Sequence, residues 1–372
     1  MIGAGAFGGW TALQLLRRGA RVTLLDAWGP GNSRASSGGE TRIIRNAYGP
    51  DPTYCKMAAR ALHLWREHEL HWRRQFFHAT GVLWLAAALD DPFQRASLGP
   101  LRDADIPFEE LSIAEVEKRW PQINLEGVAW GMFEPNSGYL LARSACHAVV
   151  EGFLAEGGEY RELMILPGGL ETAAWRALLL SDGSTLQADR YVFACGPWLG
   201  RLFPETVGPH LSVTRQEVFF FGTPAGSDLF SGKHMPVWGD HHQRFTYGIP
   251  GNQGRGFKIA DDTRGPQFDP TSGDRTVSAE GMRLVREYAA YRFPALKNAP
   301  VLETRVCQYE CTADDHFILD RHPLHPNVWL AGGGSGHGFK HGPAIGEMLA
   351  RLVMEEGTPE ATFQLARFSK KP

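Results

Sequence analysis

"MIGAGAFGGW", residues 1–10, sets Gly3, Gly5 and Gly8 in a G-x-G-x-x-G run. Such a run carries a dinucleotide when it opens a helix, leads to a strand, and meets an acid about twenty residues on. The next stretch, "GWTALQLLRRGARVTLLDAW" (9–28), meets those terms. Ala12, Leu15 and Leu16 recur at helical spacing, and Gly19 marks the helix end. Arg21 to Leu25 is a short β-rich run, closed by Asp26, an acid placed to accept ribose hydroxyls. The first glycine permits the tight turn, the second lets backbone approach the pyrophosphate, and the third allows close helix–strand packing. The helix N-terminus then offers N–H groups and the positive end of its dipole. Only Met1 and Ile2 precede the run, so the strand expected before it is short.

The chain ends on the same theme. In "NVWLAGGGSGHGFKHGPAIGEMLARLVMEEG" (327–357) a buried strand, Val328 to Ala331, meets a glycine cluster and then a helix with Ile345, Met348, Leu349, Leu352 and Val353 on its inner face. If both turns serve one ligand, the nucleotide-binding domain is discontinuous. The expectation is a Rossmann-like α/β nucleotide-binding domain from 1–83, 144–215 and 305–372. A substrate domain on a mixed, antiparallel-rich sheet would come from 84–143 and 216–304. Between the ends, "YCKMAARALHLWREHELHW" (54–72) reads as an amphipathic helix with Met57, Ala61, Leu64, Trp65 and Trp72 inward and His63, His68 and His71 on a solvated face. Residues 82–144 read as short strands and turns up to a helix from about Ala142. Tyr191 to Ala194 is a buried strand entering the Cys195-Gly196-Pro197 turn, and "RQEVFFF" (215–221) is another strand.

Bulk properties narrow the class. The 372 residues are 43% hydrophobic and 21% charged, with 11 Trp and 21 Phe for cores and pockets. A formal net charge of −3 offers nothing to draw the whole molecule to nucleic acid or to an anionic membrane. No apolar run approaches the ~20 residues of a membrane span, and no basic n-region marks a signal peptide. The five cysteines are scattered, and Cys307 and Cys311 lack the second pair of a zinc site, so no metal is expected. A reduced, cytoplasmic protein is the reading.

Several stretches, in order and spacing, carry a resemblance: "GAGAFG" (3–8), "GGETRIIRNAYG" (38–49), "CGPW" (195–198), "TRQEVFFF" (214–221), "RGFKIA" (255–260), "CQYECTADDHFILDRHP" (307–323) and "GGGSGHGFKHGP" (332–343). Over nearly its whole length the chain resembles the monomeric sarcosine oxidase group of D-amino-acid-oxidase-like flavoproteins. The resemblance implies FAD, joined in this branch to a cysteine that matches Cys307 rather than Cys311. Besides the first glycines and Asp26, it implies cofactor contacts from Thr41, Arg42, Cys195, Gly196, Trp198, Gly334, Gly336, Gly338 and Lys340. It also implies oxidation of a small amino acid or amine with O₂, by a monomer.

The matching positions suggest roles. Arg45 and Lys340 would bracket the substrate carboxylate, the first as a fork and the second as a point charge. Fixing the reactive C–H in that way is worth ~7–11 kcal/mol in favourable cases. Arg42 falls beside the flavin ring. Lys258 matches a lysine that activates oxygen, where a preorganised cation stabilises the superoxide formed. His337 and Tyr247 match active-site residues. One position departs: four residues after Lys258, where the family often has His, stands Asp262. An acid there adds negative charge near the amine, so the amino acid is left open rather than assigned as sarcosine. Family members also have more apolar residues before the first glycine; either the strand is truncated or the recorded start lies downstream of the true one. Two other readings stand beside the oxidase: a flavin dehydrogenase passing electrons to a quinone or protein carrier, and a non-catalytic FAD-holding subunit of an oxidase complex.

Overall fold

The computed structural model describes residues 1–166, 177–242 and 244–369. Its organising layer is a parallel sheet into which the chain start is inserted. Ile2 bridges Leu25 on one side and Phe193 on the other, both in parallel. Thr23–Asp26 extends this sheet through Glu159–Glu162, and Tyr191–Phe193 extends it through Val328–Gly332 to the antiparallel strand Ile318–Arg321. The expected short strand is thus one bridging residue, Ile2, at the centre of the sheet. Ile2 N–H donates to Val192 O at 2.8 Å, Gly3 N–H to Leu25 O at 2.7 Å, and Leu25 N–H to Met1 O at 2.8 Å. Central parallel strands are apolar on both faces, and Val328–Gly332 is buried at every position.

Each glycine turn launches a helix, Ala6–Arg17 after the first and Gly342–Val353 after the second. The two helices touch through glycine. A Cβ on Gly346 would sit 2.7 Å from the Trp10 carbonyl carbon, and one on Gly342 would sit 3.0 Å from Ala6 O. The helix Pro52–Trp72 packs against the second of them.

The three histidines of this helix do not share the solvated face expected of them. His63 and His71 are exposed, but His68 is only 2% exposed. Its Nδ1 lies 2.7 Å from Leu64 O and its Nε2 2.9 Å from Arg17 Nη1, an arrangement that fits a neutral ring donating to the carbonyl and accepting from the guanidinium. Burial lowers its pKa. Position 68 lies one helical turn beyond Leu64 and Trp65, so the apolar stripe itself carries it inward.

The second layer is an eight-stranded sheet in the order Val301–Cys311, Ser212–Phe221, Phe257–Asp261, Phe245–Ile249, Val237–His241, Val82–Ala86, Trp130–Glu134, Glu109–Leu111. Only the contact between Val82–Ala86 and Val237–His241 is parallel. The expected boundaries at 215/216 and 304/305 fall inside two of its strands, so the regions share continuous backbone. Helix Ala279–Arg292 covers one face, pinned by Arg292 Nε donating to Asp240 at 2.8 Å, both residues buried.

The 82–144 region also holds two helices that the sequence reading omitted. Asp91 caps Pro92–Asp103 by accepting from Phe93 and Gln94 N–H. Ser112 and Glu115 form a reciprocal capping box on Ile113–Arg119.

Candidate functional site

Between the two glycine turns lies a cleft of about 350 Å³. Its floor is the first turn. Gly3 has φ +99°, and a Cβ there would stand 2.3 Å from Ala194 O. A Cβ on Gly8 would stand 1.8 Å from Gly3 O, whereas one on Gly5 would meet only Ser37 Oγ, at 3.3 Å. Gly3 and Gly8 therefore keep the helix against the turn, and Gly5 keeps the turn open to the cleft. Gly5 is the helix N-cap; it provides no side-chain cap, and no acid occupies the first turn. The positive end of the helix is left for an anion. Asp26, at the end of its strand, is oriented by Ala4 N–H at 2.7 Å and Trp28 N–H at 3.0 Å. Burial raises its pKa while these bonds oppose the rise.

From the other side come Cys195, Gly196, Trp198, Gly334, Gly336 and Gly338, with Cys307 and Arg42 at one end. A Cβ on Gly334 would meet nothing closer than 3.9 Å, so backbone there faces open space. The fit to a dinucleotide is good: a helix whose N-cap is glycine and whose first N–H meets only the Ser37 hydroxyl, at 3.1 Å, glycine at each close approach, and an acid at the ribose position. Cys195 and Cys307 line the cleft, whereas Cys311 is buried away from it. Cys307 Sγ lies 3.6 Å from Arg42 Nη2. Gly8 and Thr41 do not line the cleft; Gly8 seats the helix, and Thr41 works through its carbonyl, described next.

A second cavity of about 410 Å³ adjoins the first; Arg42, Tyr309, Gly336 and Phe339 line both. It contains Arg45, Tyr247, Lys258, Asp262, His337 and Lys340 together. Strand alternation explains part of this. Lys258, Ala260 and Asp262 are two residues apart and share a face. Tyr247 pairs with Ala260 on the neighbouring strand, which sets it beside both charged groups. Asp261 points the other way, to Arg244 at 2.8 Å.

The cations are held by neutral partners and not, among the described residues, by carboxylates. Lys258 is 3% exposed, and its Nζ donates to Thr41 O at 3.2 Å. Burial, then the nearby Arg42, brings its pKa down to about 7. Lys340 Nζ donates to Tyr48 Oη at 2.9 Å and His337 O at 2.8 Å. Burial and Arg45 hold its pKa well below the usual lysine range. Arg45 donates to Ala47 O and lies over the Tyr48 ring at 4.1 Å. Arg42 donates to Thr41 O at 2.8 Å and Ser36 O at 2.5 Å. His337 packs on Phe317 and has its Nε2 3.0 Å from Asp315 O; burial holds its pKa well below the usual value. A desolvated group of cations that pushes its own lysines toward neutrality is a receptor for an anion.

Sequence reasoning missed several lining residues. Tyr309 stands where the two cavities meet and donates to Asp262 Oδ1 at 2.6 Å. Burial, opposed by that bond, pushes the Asp262 pKa up to about 6. Tyr48 binds Lys340 and lies 2.7 Å from His341 Nε2. Glu310 lines the cleft, accepts from Gly333 N–H at 3.0 Å, and is pushed up to about 8 by burial. Tyr309 and Glu310 lie inside the quoted "CQYEC", two and three residues after Cys307, and that proximity is the available signal. Among the described residues no group of His, Cys, Asp and Glu is disposed to hold a metal, and no helix is long and apolar enough to cross a membrane.

These features agree with comparisons to known proteins. The model of the DAO family, FAD dependent oxidoreductase, matches residues 1–352. The chain belongs to that family. It is 31% identical over 369 residues to monomeric sarcosine oxidase of Bacillus sp. (strain B-0618), covering 95% of this chain and 91% of that one. To N-methyl-L-tryptophan oxidase of Salmonella arizonae it is 28% identical, covering 100% and 98%. In fold it is similar to L-proline dehydrogenase from P. horikoshii (TM-score 0.87, 21% identity, 99% and 96% covered). Glycine oxidase from Geobacillus kaustophilus gives a TM-score of 0.82 at 22% identity, with 98% and 97% covered.

Proposed function

We propose that this protein is a monomeric FAD-dependent oxidase of amino acids. The observation that carries the reading is the joining of two cavities. One is a glycine-lined cleft suited to a dinucleotide, and the other holds Arg45, Lys258 and Lys340 together. Bound in the first, FAD supplies the two-electron acceptor that turns an amine into an imine and hands the electrons to O₂ as H₂O₂. The chain's own residues do the rest. Arg45 and Lys340 hold the substrate carboxylate, and its charge restores to Lys340 the proton that burial discourages. Tyr247 and Tyr48 wall the substrate and keep water out, and His337 orients Lys340 through its carbonyl. Lys258 offers a cation where O₂ gains negative charge. Sarcosine oxidase and N-methyl-L-tryptophan oxidase among the relatives favour a secondary or primary amine next to a carboxylate.

The test is a panel of N-methylated and unmethylated amino acids, assayed for peroxide and oxygen uptake and, without oxygen, for reduction of a dye. Peroxide in step with oxygen uptake is expected. Dye reduction without oxygen uptake would instead favour the dehydrogenase reading.

We also propose that Cys307 is the residue that carries the flavin. It lines the cleft beside Arg42, whereas Cys311 does not reach it. After acid denaturation, yellow colour is expected to stay with the unmodified chain and to leave the Cys307→Ser chain. Colour retained by Cys307→Ser would transfer the assignment to another residue.

A further inference from the structure

Four carboxylates line the second cavity: Asp51, Asp262, Asp314 and Asp315. Three are committed elsewhere. Asp51 caps the helix Pro52–Trp72 by accepting from Thr53 N–H at 2.8 Å. Asp314 pairs with Arg367 at 2.8 Å, and Asp315 pairs with Arg264. Asp262 differs from these. Among the described residues it has no cation within ion-pair distance, and its one side-chain partner is the neutral Tyr309 hydroxyl on Oδ1. That bond fixes the carboxylate and leaves Oδ2 for a guest.

Its position relative to the cations matters as much. Arg45 and Lys340 act on Asp262 through space, yet neither closes on it. Arg45 is held by Ala47 O, and Lys340 by Tyr48 and His337. Opposite charges are thus kept apart across one desolvated space, each secured by a different neutral group. An ion pair left open in this way is costly unless a ligand of complementary charge distribution enters between its halves. An α-amino acid has that distribution, a carboxylate one carbon away from an ammonium.

Resting on the amino-acid reading above, we infer that Asp262 is the ammonium-binding residue of this cavity, so that the site takes its substrate as the zwitterion and not as the neutral amine. Asp262 is thereby a specificity-determining residue, and a carboxylate without a positive centre is a poor ligand.

The charge can be isolated with two ligands of nearly the same shape. Glycine betaine and 3,3-dimethylbutanoate share a carboxylate and a bulky terminus and differ in having nitrogen or carbon at its centre. Neither titrates at the terminus, and betaine has no nitrogen lone pair from which an imine could form. Their affinities for the purified holoprotein are measured by calorimetry and by perturbation of the flavin spectrum. The unmodified protein is expected to prefer betaine by roughly tenfold to a hundredfold, the range for one desolvated charge pair partly offset by the loss of hydration. Asp262→Asn is expected to abolish that preference while binding 3,3-dimethylbutanoate as tightly or more tightly. Asp262→Glu keeps the charge and serves as the second variant, expected to retain the preference, should the Asn chain fail to fold. An Asn variant that prefers betaine as strongly as the unmodified chain overturns the inference alone, as does equal binding of both ligands by the unmodified chain. If neither carboxylate binds the unmodified chain, the amino-acid reading falls as well.

Discussion

Lys258→Met is expected to slow the reaction with oxygen by about a hundredfold to a thousandfold, the range for removing one preorganised charge-stabilising group. Anaerobic reduction of the flavin by substrate should change far less. The difference follows from what Lys258 touches. Its ammonium is bound to Thr41 O, and among the described residues no carboxylate lies within ion-pair distance, so its charge is available to a guest that becomes negative. Methionine fills much of the same volume without charge, which separates electrostatics from packing. The pH dependence has a definite sign. With the pKa brought down to about 7, Lys258 is protonated below that value and loses its charge above it. Oxygen reactivity should therefore decline as pH rises through about 7, and the Met variant should lack that decline. Stopped-flow measurement of the two half-reactions reads both effects. Equal slowing of the two halves would mean that Lys258 holds the cavity together and has no special part in the oxygen step.

Gly8→Ala should lower flavin incorporation, because capture in the cleft precedes any bond to Cys307. The added methyl would lie 1.8 Å from Gly3 O, and that oxygen is backbone, in a turn whose own glycine already sits at φ +99°. Either the helix backs away from the sheet or the turn distorts, and both displace the N–H groups that face the anion. Overpacking of this kind costs about 1–3 kcal/mol, equivalent to a roughly fivefold to hundredfold loss of affinity. The flavin-to-protein absorbance ratio of the purified variant measures it. Gly9→Ala is the control: its methyl would meet Val149 Cγ1 at 3.2 Å, a side-chain atom able to give way. A Gly8→Ala chain with full flavin content would refute the account of the turn.

Local chemistry made most of the fold readable in the sequence. Gly3, Gly5 and Gly8 before an amphipathic run, and Asp26 after a β-rich one, are signals written within thirty residues. The same holds for Val328 to Val353. Asp91-Pro92 and Ser112 with Glu115 were also local signals, and both mark helices in the structure. The short apolar runs around them are equally compatible with strands, which hides both helices from periodicity alone. Much of the second cavity was beyond such reading. Arg45, Tyr48, Lys258, Asp262, Tyr309 and Lys340 come from four separated stretches, and each stretch taken alone is an ordinary turn or strand. Resemblance pointed to several of them by position. It was silent on Tyr309, whose importance lies in a hydroxyl bonded to a residue 47 positions away. His68 shows the opposite failure. Its spacing sets it on the inner stripe, its polarity argues for water, and the Leu64 carbonyl with Arg17 satisfies that polarity inside the protein.

The contact between the first and last glycine turns bears on how the protein is made. Gly3 emerges from the ribosome more than three hundred residues before Gly334, so during synthesis the early half of the grip has no counterpart. Trp10, 2% exposed in the finished molecule, rests on Gly346 and must wait for it. Closing so long a loop adds only slowly to the entropic cost, but folds dominated by distant contacts form slowly. Throughout that interval the nascent chain carries an unburied tryptophan face, which a chaperone can shelter. Flavin capture is accordingly expected to wait until the second glycine turn and its helix have emerged, and a series of stalled nascent chains scored for bound flavin reads that order.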